Sequence, residues 1–198
     1  YYGQRNIGDD LFVKHLTHYF SRRPDVGKVF VFCKEDYYPK TGDKVIYFSE
    51  ARLSKLQRLK VIGQSDYIFW GGGTLNFDSR PQKLLRMQAL SQFIGKKFGF
   101  LGIGLEGAAP NSYQIFEKSD LLYLRDNYSY ELARNNFKKA RSIGLGGDLA
   151  FLDISFYDRF IKTENKCEFQ HISFSGKFWW GESRGEFYGR QLMPVIEK

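Results

Sequence analysis

Sulfur and imidazole side chains are scarce in this chain, which has two cysteines and three histidines among 198 residues. Cys33 and Cys167 are far apart and share no short motif, so they fit neither a zinc site nor a disulfide framework. No serine–histidine–aspartate set, carboxylate pair or metal-ligand spacing stands out. We therefore expect no metal site, and a reduced compartment is the simpler expectation.

Long apolar stretches are also lacking. No segment approaches the length of a transmembrane helix, and no signal-peptide pattern is present. We therefore expect a cytoplasmic protein, with the inner face of the membrane as a second location. The ATP-binding pattern Gly-x-x-x-x-Gly-Lys-Ser/Thr is absent as well, so nothing supports a P-loop.

Charge is abundant and unbalanced. Thirty Lys and Arg residues against 22 Asp and Glu residues give a formal net charge of +8. Such an excess favours anionic ligands, but it also fits a soluble surface that has no specific partner. The basic residues are scattered rather than concentrated in one run, so we do not expect nucleic acid as a partner.

Hydrophobic residues make up 42% of the chain and aromatic residues 18%, which is ample for a packed core. Short apolar runs, each typical of a buried strand, alternate with helical patterns. These runs cover residues 29–33, 45–48, 67–70, 98–101 and 121–124. The alternation predicts an α/β fold with a doubly wound, mostly parallel, Rossmann-like sheet.

We divide the chain into three parts. Residues 1–154 are the Rossmann-like N-terminal domain, 155–166 are a polar linker, and 167–198 begin a truncated C-terminal α/β domain. The chain starts at Tyr1 with no Met and no strand before the first glycine-rich turn, so we expect the first strand to be missing. It stops inside a predicted helix at Lys198, so we expect further residues downstream as well.

Glycine, asparagine and charged residues follow the carboxyl ends of the predicted strands. Ligands bind outside those ends in open α/β sheets, where glycines let the backbone approach a ligand and helix N-termini favour anions. The candidate binding residues are Asn6, Gly8, Asp9, Gly71, Gly72, Gly73, Gly102, Gly104, Arg125, Asp126 and Asp148. Arg125 is the best candidate for contact with an acidic ligand, because its planar guanidinium matches phosphate or carboxylate.

Each of these candidates has a structural alternative. The three successive glycines could form a tight turn for helix–strand packing, Arg125 and Asp126 could be an ion pair that caps a helix, and Asp148 could cap backbone N–H groups. Glycines 102, 104 and 107 match the dinucleotide-binding spacing, but a lone match of that kind is weak.

The remaining conspicuous side chains favour structural roles. His15, His18 and His171 are expected to be packed or on the surface rather than catalytic. The pair Trp179-Trp180 could stack on a sugar ring, but an anchor at a domain interface is the stronger expectation.

Five short motifs occur in the order typical of one enzyme family. They are Tyr2-Gly-Gln-Arg-Asn-Ile-Gly-Asp-Asp, Asp66-Tyr-Ile-Phe-Trp-Gly-Gly-Gly-Thr-Leu, Gly102-Ile-Gly, Leu124-Arg-Asp-Asn-Tyr-Ser and Gly147-Asp-Leu-Ala-Phe. Together they resemble the polysaccharide pyruvyl transferases over roughly three-quarters of the chain. Residues 152–198 match only by position and element type.

The resemblance implies a two-domain architecture similar to the glycosyltransferase-B fold, with the active site between the domains. It implies phosphoenolpyruvate as donor, a sugar or lipid-linked oligosaccharide as acceptor, a pyruvate ketal as product, and no cofactor. Arg125 is then expected to be catalytic as an anion-binding residue, whereas Asp126, Asp148 and Asn6 orient the acceptor or shape the loops. Most donor-binding Arg and His residues are expected in the C-terminal domain.

Two alternatives stay open. A nucleotide-sugar glycosyltransferase of the same two-domain type would bind a nucleotide diphosphate donor, and a non-catalytic relative would bind glycans without any transfer. The sequence does not indicate the acceptor sugar, the linkage or the oligomeric state.

Overall fold

The computed structural model describes residues 2–40, 42–75, 81–105, 110 and 113–160. The chain divides into two compact units, Tyr1–Asp158 and Arg159–Lys198, and all side-chain contacts below lie in the first. The elements, in chain order, are α1 (Ile7–Arg22), β1 (Val29–Cys33), β2 (Val45–Ser49), α2 (Lys55–Gln64), β3 (Tyr67–Gly71), α3 (Gln82–Phe93), β4 (Lys97–Ile103), α4 (Tyr113–Glu117), β5 (Leu121–Leu124), α5 (Asn127–Asn136) and β6 (Ile143–Leu145), followed by 3-10 helices at Leu149–Phe151 and Ile154–Phe160.

Among the described residues, all the strand pairs are parallel. The strands form a two-stranded sheet in the order β1-β2 and a four-stranded sheet in the order β3-β4-β5-β6. Each strand of the larger sheet is followed by a helix or a helical turn, as is typical of the connections between parallel strands. The predicted α/β fold with a mostly parallel sheet is confirmed. The division into domains at residues 154 and 166 stays a prediction, as do the expectations for Cys167, His171 and the two tryptophans, which lie outside the described residues.

The main core lies on one face of the four-stranded sheet. Phe98, Phe100, Leu122 and Leu124 point to that face and are fully buried. They pack against the helices that follow the strands, including Phe116 of α4. Each large side chain buried in this way contributes about 1.5–3 kcal/mol, so this face anchors the strand ends that carry the candidate residues.

Helix α1 packs across both sheets. Val13 belongs to the small core that also contains Val31 and Val45, while the Phe20 ring stacks on Phe69 of β3 with centroids 6.2 Å apart. The same helix buries His15, as expected for a packed histidine. Helix α1 therefore fixes the position of the loop before it relative to both sheets.

The loop after β3 is built against this helix. A Cβ atom on Gly72 would overlap the Phe12 ring of α1, and its backbone has φ +73°, a conformation that side chains with a Cβ rarely adopt. A Cβ on Gly71 would lie 2.7 Å from Leu16 of the same helix. Helix–strand packing therefore requires glycine at both positions.

We predict that Gly72→Ala lowers the free energy of unfolding by about 3 kcal/mol. The new Cβ would overlap the Phe12 ring, and alanine would be strained at φ +73°. Gly63→Ala is the matched control, since Gly63 lies in α2 with no atom within 4 Å of an added Cβ. There the change should be neutral or raise stability by up to about 1 kcal/mol. Urea unfolding of both variants checks this, and equal midpoints would contradict the packing explanation.

Candidate functional site

The carboxyl ends of the four parallel strands meet at one edge of the larger sheet. The pairing of β3 with β4 continues one step past the strands through Thr74 and Gly104. There Gly104 N–H donates to the Gly73 carbonyl at 2.9 Å, and Leu75 N–H donates to the Gly104 carbonyl at 2.9 Å. The loops that carry the candidate residues therefore start from a hydrogen-bonded base.

Arg125 connects three of these loops. It follows β5 directly, and its Nη2 donates a hydrogen bond to Thr74 Oγ1 at 2.8 Å. Its Nε donates to Asp126 Oδ2 at 3.4 Å, and its Nη1 lies 3.8 Å from Asp148 Oδ2. One guanidinium thus joins the segments after β3, β5 and β6. The structure brings Arg125, Asp126 and Asp148 together, as the sequence predicts.

The Gly102-x-Gly104 spacing has a packing cause. A Cβ on Gly104 would lie 2.7 Å from Arg125 Nε, and a Cβ on Gly102 would lie 2.6 Å from Leu149 Cγ. One glycine therefore makes room for the guanidinium, and the other makes room for the residue that follows Asp148. Their contact with a ligand stays a prediction.

Asp126 caps helix α5. Its Oδ1 accepts the Ser129 N–H at 2.7 Å, and the Ser129 hydroxyl accepts the buried Leu105 N–H at 2.9 Å. Burial alone would raise the pKa of the Asp126 carboxyl. The hydrogen bonds from Ser129 and Arg125 outweigh that effect and hold the pKa below its usual range.

Asp148 has a similar double role. Its Oδ1 accepts the Ala150 N–H at 2.9 Å and so caps the 3-10 helix Leu149–Phe151, while its Oδ2 faces Arg125. The side chain is 33% exposed, so a ligand can reach it. Both structural alternatives, the capping ion pair and the capping carboxylate, are therefore present in the structure, and neither excludes contact with a ligand.

The charge of this cluster limits the ligand it suits. The formal charges of one arginine and two aspartates sum to −1. A phosphate placed here would meet two carboxylates as well as one guanidinium. Vicinal hydroxyl groups fit better, because they can accept from the guanidinium and donate to the carboxylates.

The glycines after β3 divide into two kinds. Gly71 and Gly72 face helix α1, whereas an added Cβ on Gly73 would meet no atom within 4 Å. Gly73 is therefore the member of the triplet whose backbone is open to a ligand. Thr74, which binds Arg125, follows it immediately and was not among the residues predicted from the sequence. A hydroxyl residue directly after a glycine loop was the available signal.

Asn6, Gly8 and Asp9 form a separate group at the start of α1. The Asn6 side chain accepts the Gly8 N–H at 3.1 Å and caps the helix. Burial raises the pKa of the Tyr2 hydroxyl, and the negative charge of Asp9, in the first turn of α1, raises it further. That hydroxyl donates to the Gly71 carbonyl, which links this group to the loop after β3.

Comparison with known families identifies the chain. The family model described as polysaccharide pyruvyl transferase matches residues 6–193. The chain belongs to the polysaccharide pyruvyl transferase family. The match extends well beyond Phe151, where the five motifs end, so the relationship covers nearly the whole chain. Comparisons with curated proteins and with solved structures give no match.

Membership makes the chain a transferase of polysaccharide biosynthesis, with a polysaccharide acceptor. Within the part of the chain that the structure describes, no helix is long and apolar enough to cross a bilayer. The same residues contain no cluster of three or more His, Cys, Asp or Glu side chains that could hold a metal ion.

The lowered pKa of Asp126 gives a pH-dependent prediction. Because the pKa is lower in the folded state, the charge of Asp126 stabilises the fold above about pH 4 and loses that effect as pH falls through the folded value. We expect Asp126→Ala to cost about 1 kcal/mol at pH 7 and less at pH 3. Glu131→Ala, on the exposed face of the same helix, should change little at either pH. A cost for Asp126→Ala that does not depend on pH, measured by denaturant unfolding, would contradict the role of the charge.

Proposed function

We propose that this polysaccharide pyruvyl transferase takes its pyruvyl group from phosphoenolpyruvate and forms a ketal with two hydroxyl groups of one sugar. The proposal rests on family membership together with the cluster of Arg125, Thr74, Asp126 and Asp148. The observation that carries most weight is the mixed donor and acceptor character of this cluster. It suits a sugar acceptor better than a nucleotide.

The reaction balances without a cofactor. A proton adds to the methylene carbon of the donor and leaves an oxocarbenium-like centre at the neighbouring carbon. One sugar hydroxyl forms a bond to that centre, the bond to the phosphate oxygen breaks, and a second hydroxyl of the same sugar takes its place. Of the two hydroxyl protons, one balances the proton gained by carbon and the other leaves with phosphate.

Each residue of the cluster has a proposed part in this sequence. Asp148 accepts a hydrogen bond from an acceptor hydroxyl through its partly exposed carboxylate, and it is placed to take the proton as the bond forms. Arg125 donates to a sugar oxygen or to the acidic donor, and Asp126 holds the guanidinium in place. The backbone of Gly73 is open to contact with a substrate. The remaining candidate residues shape the loops; they are Asn6, Gly8, Asp9, Gly71, Gly72, Gly102 and Gly104.

The proposed location follows from the donor. Phosphoenolpyruvate is a cytoplasmic metabolite, so we place the reaction in the cytoplasm. If the acceptor is a lipid-linked oligosaccharide, the enzyme would meet it at the inner face of the membrane, by peripheral association.

The choice of donor is tested by incubating the purified protein with a panel of glycans and either phosphoenolpyruvate or nucleotide sugars. We expect inorganic phosphate to be released only when phosphoenolpyruvate and a glycan are both present. A product with a ketal carbon in its NMR spectrum would complete the assignment. Release of UDP or GDP with phosphoenolpyruvate unchanged would favour the glycosyltransferase alternative, and glycan binding with neither release would favour a non-catalytic protein.

We predict that Arg125→Ala lowers the rate of transfer by roughly 100-fold, because the variant loses an oriented cationic donor, yet still folds. Arg141→Ala is the matched control. Its side chain also pairs with an aspartate, Asp120, but it is 75% exposed and precedes β6 instead of following a strand. Steady-state kinetics and circular dichroism check both variants, and an unchanged rate for Arg125→Ala would leave Arg125 with a structural role only.

A further inference from the structure

Arg5 has an unusual backbone for an arginine. Its φ is +58°, and it is the only non-glycine residue with a positive φ among those that the structure describes. A side chain with a Cβ adopts this left-handed conformation only at a cost in free energy. Something in the surroundings must therefore hold the loop of residues 3–6 in place.

Two adjacent tyrosines hold this loop. The Tyr37 hydroxyl accepts the Arg5 N–H at 3.0 Å, and the Tyr38 hydroxyl accepts the Gly3 N–H at 2.9 Å. Both hydroxyls donate their single proton to the Asp10 carboxylate at 2.6 Å. We call Asp10, Tyr37 and Tyr38 the tyrosine clamp. It links the loop to the first turn of α1 through four hydrogen bonds.

The clamp keeps its form across the neutral pH range. Burial first, and then the hydrogen bond to Asp10, raise the pKa of Tyr37 and the pKa of Tyr38 above the usual tyrosine value. Both hydroxyls therefore stay protonated, and each oxygen remains free to accept an N–H of the loop. The two rings also stack on each other, with centroids 4.7 Å apart.

The clamp presents a cation that is not engaged in a salt bridge with any of the described residues. The Arg5 guanidinium lies 5.9 Å from the centroid of the Tyr37 ring, a cation–π distance that restrains the side chain. Within the described residues it forms no salt bridge, and the residue is exposed. Arg125 differs, because two carboxylates already offset its charge.

Arg5 lies close in the chain to two contacts with the loop after β3. Three residues before it, Tyr2 donates to the Gly71 carbonyl, and seven residues after it, Phe12 packs against Gly72. The loop that carries Arg5 and the loop that carries Gly73 are therefore joined on both sides of Arg5. These two contacts fix the loop of residues 3–6 to the backbone segment that leads into Gly73 and Thr74.

We propose that Arg5 is a binding residue for the acidic donor and that Asp10, Tyr37 and Tyr38 are its positioning residues. The planar guanidinium can hold a phosphate or carboxylate group through two parallel hydrogen bonds. The cluster around Arg125, whose net charge is −1, cannot neutralise such a group alone. The identity of the donor as phosphoenolpyruvate rests on the proposed function, whereas anion binding by Arg5 does not.

The test measures binding of phosphoenolpyruvate and of inorganic phosphate by calorimetry, and the KM for phosphoenolpyruvate in transfer. Arg5→Gln is expected to raise the Kd for both anions by roughly tenfold or more, the usual worth of a charge-assisted hydrogen bond. Arg5→Gly should weaken binding equally while its thermal midpoint stays the same or rises, because glycine adopts φ +58° without strain. Arg22→Gln, at the other end of α1, should match the wild type.

The positioning role has its own measurement. Tyr37→Phe combined with Tyr38→Phe keeps the stacked rings but removes both hydroxyls, so it should raise the Kd for the same anions. Added to Arg5→Gln, the two changes should have no further effect, because the residue that they position is already gone. If the two tyrosine changes weakened anion binding as much in the Arg5→Gln variant as in the wild type, the tyrosines would have a general structural role. That result would overturn the proposal that they position Arg5.

The outcomes separate this inference from the proposed function. Normal transfer with an unchanged Kd and KM in Arg5→Gln would overturn the role of Arg5 and leave the pyruvyl reaction standing. Phosphate binding that weakens in Arg5→Gln, with no turnover of phosphoenolpyruvate by the wild type, would support Arg5 and remove the proposed donor. A wild-type protein that binds neither anion would overturn both.

Discussion

The guanidinium of Arg125 lies among the segments that follow three strands of the four-stranded sheet. Its hydrogen bond to Thr74 and its ion pairs with Asp126 and Asp148 add side-chain links to the backbone hydrogen bonds that already join these segments. The two aspartates are themselves fixed, because each caps a helical turn through its other oxygen. The geometry of the candidate site therefore depends on one side chain whose neighbours are all held by the fold.

The glycines around this side chain show why part of the site could not be predicted from the sequence. The positions after the strands were predictable, since buried apolar runs end there and glycine favours turns. The partners of those glycines were not predictable. Gly72 requires space for Phe12, sixty residues earlier in the chain, and Gly104 requires space for Arg125, which follows the next strand. Packing across such distances leaves no local pattern, so a glycine that makes room for a side chain resembles one that faces a ligand.

The tyrosine clamp could not be predicted from the sequence for the same reason. Asp10 could be predicted as an acidic residue in the first turn of a helix, and that is where it lies. Its bonds to Tyr37 and Tyr38 depend on the connection after β1 returning to the start of α1, which neither segment indicates alone. Strands β1 to β5, in contrast, followed from short-range apolar runs and were predicted to within a few residues, whereas the short strand β6 was not among those runs.

The distribution of charge gives the two groups of candidate residues different parts in the proposed reaction. The cluster at Arg125 combines donors with acceptors and suits hydroxyl groups, whereas the Arg5 guanidinium forms no salt bridge among the described residues and lies over the Tyr37 ring. Such a separation would let an acidic donor and a neutral acceptor bind without competing for one guanidinium.

The central claim is that Arg125 holds the loops of the site together. A double-mutant cycle of Thr74→Val and Arg125→Ala, followed by urea unfolding, tests it most directly. Because the hydrogen bond joins residues far apart in the chain, we predict a coupling energy of about 1 kcal/mol. If the losses in unfolding free energy of the two single variants sum to that of the double variant within about 0.3 kcal/mol, the two residues act independently. That result would contradict the claim.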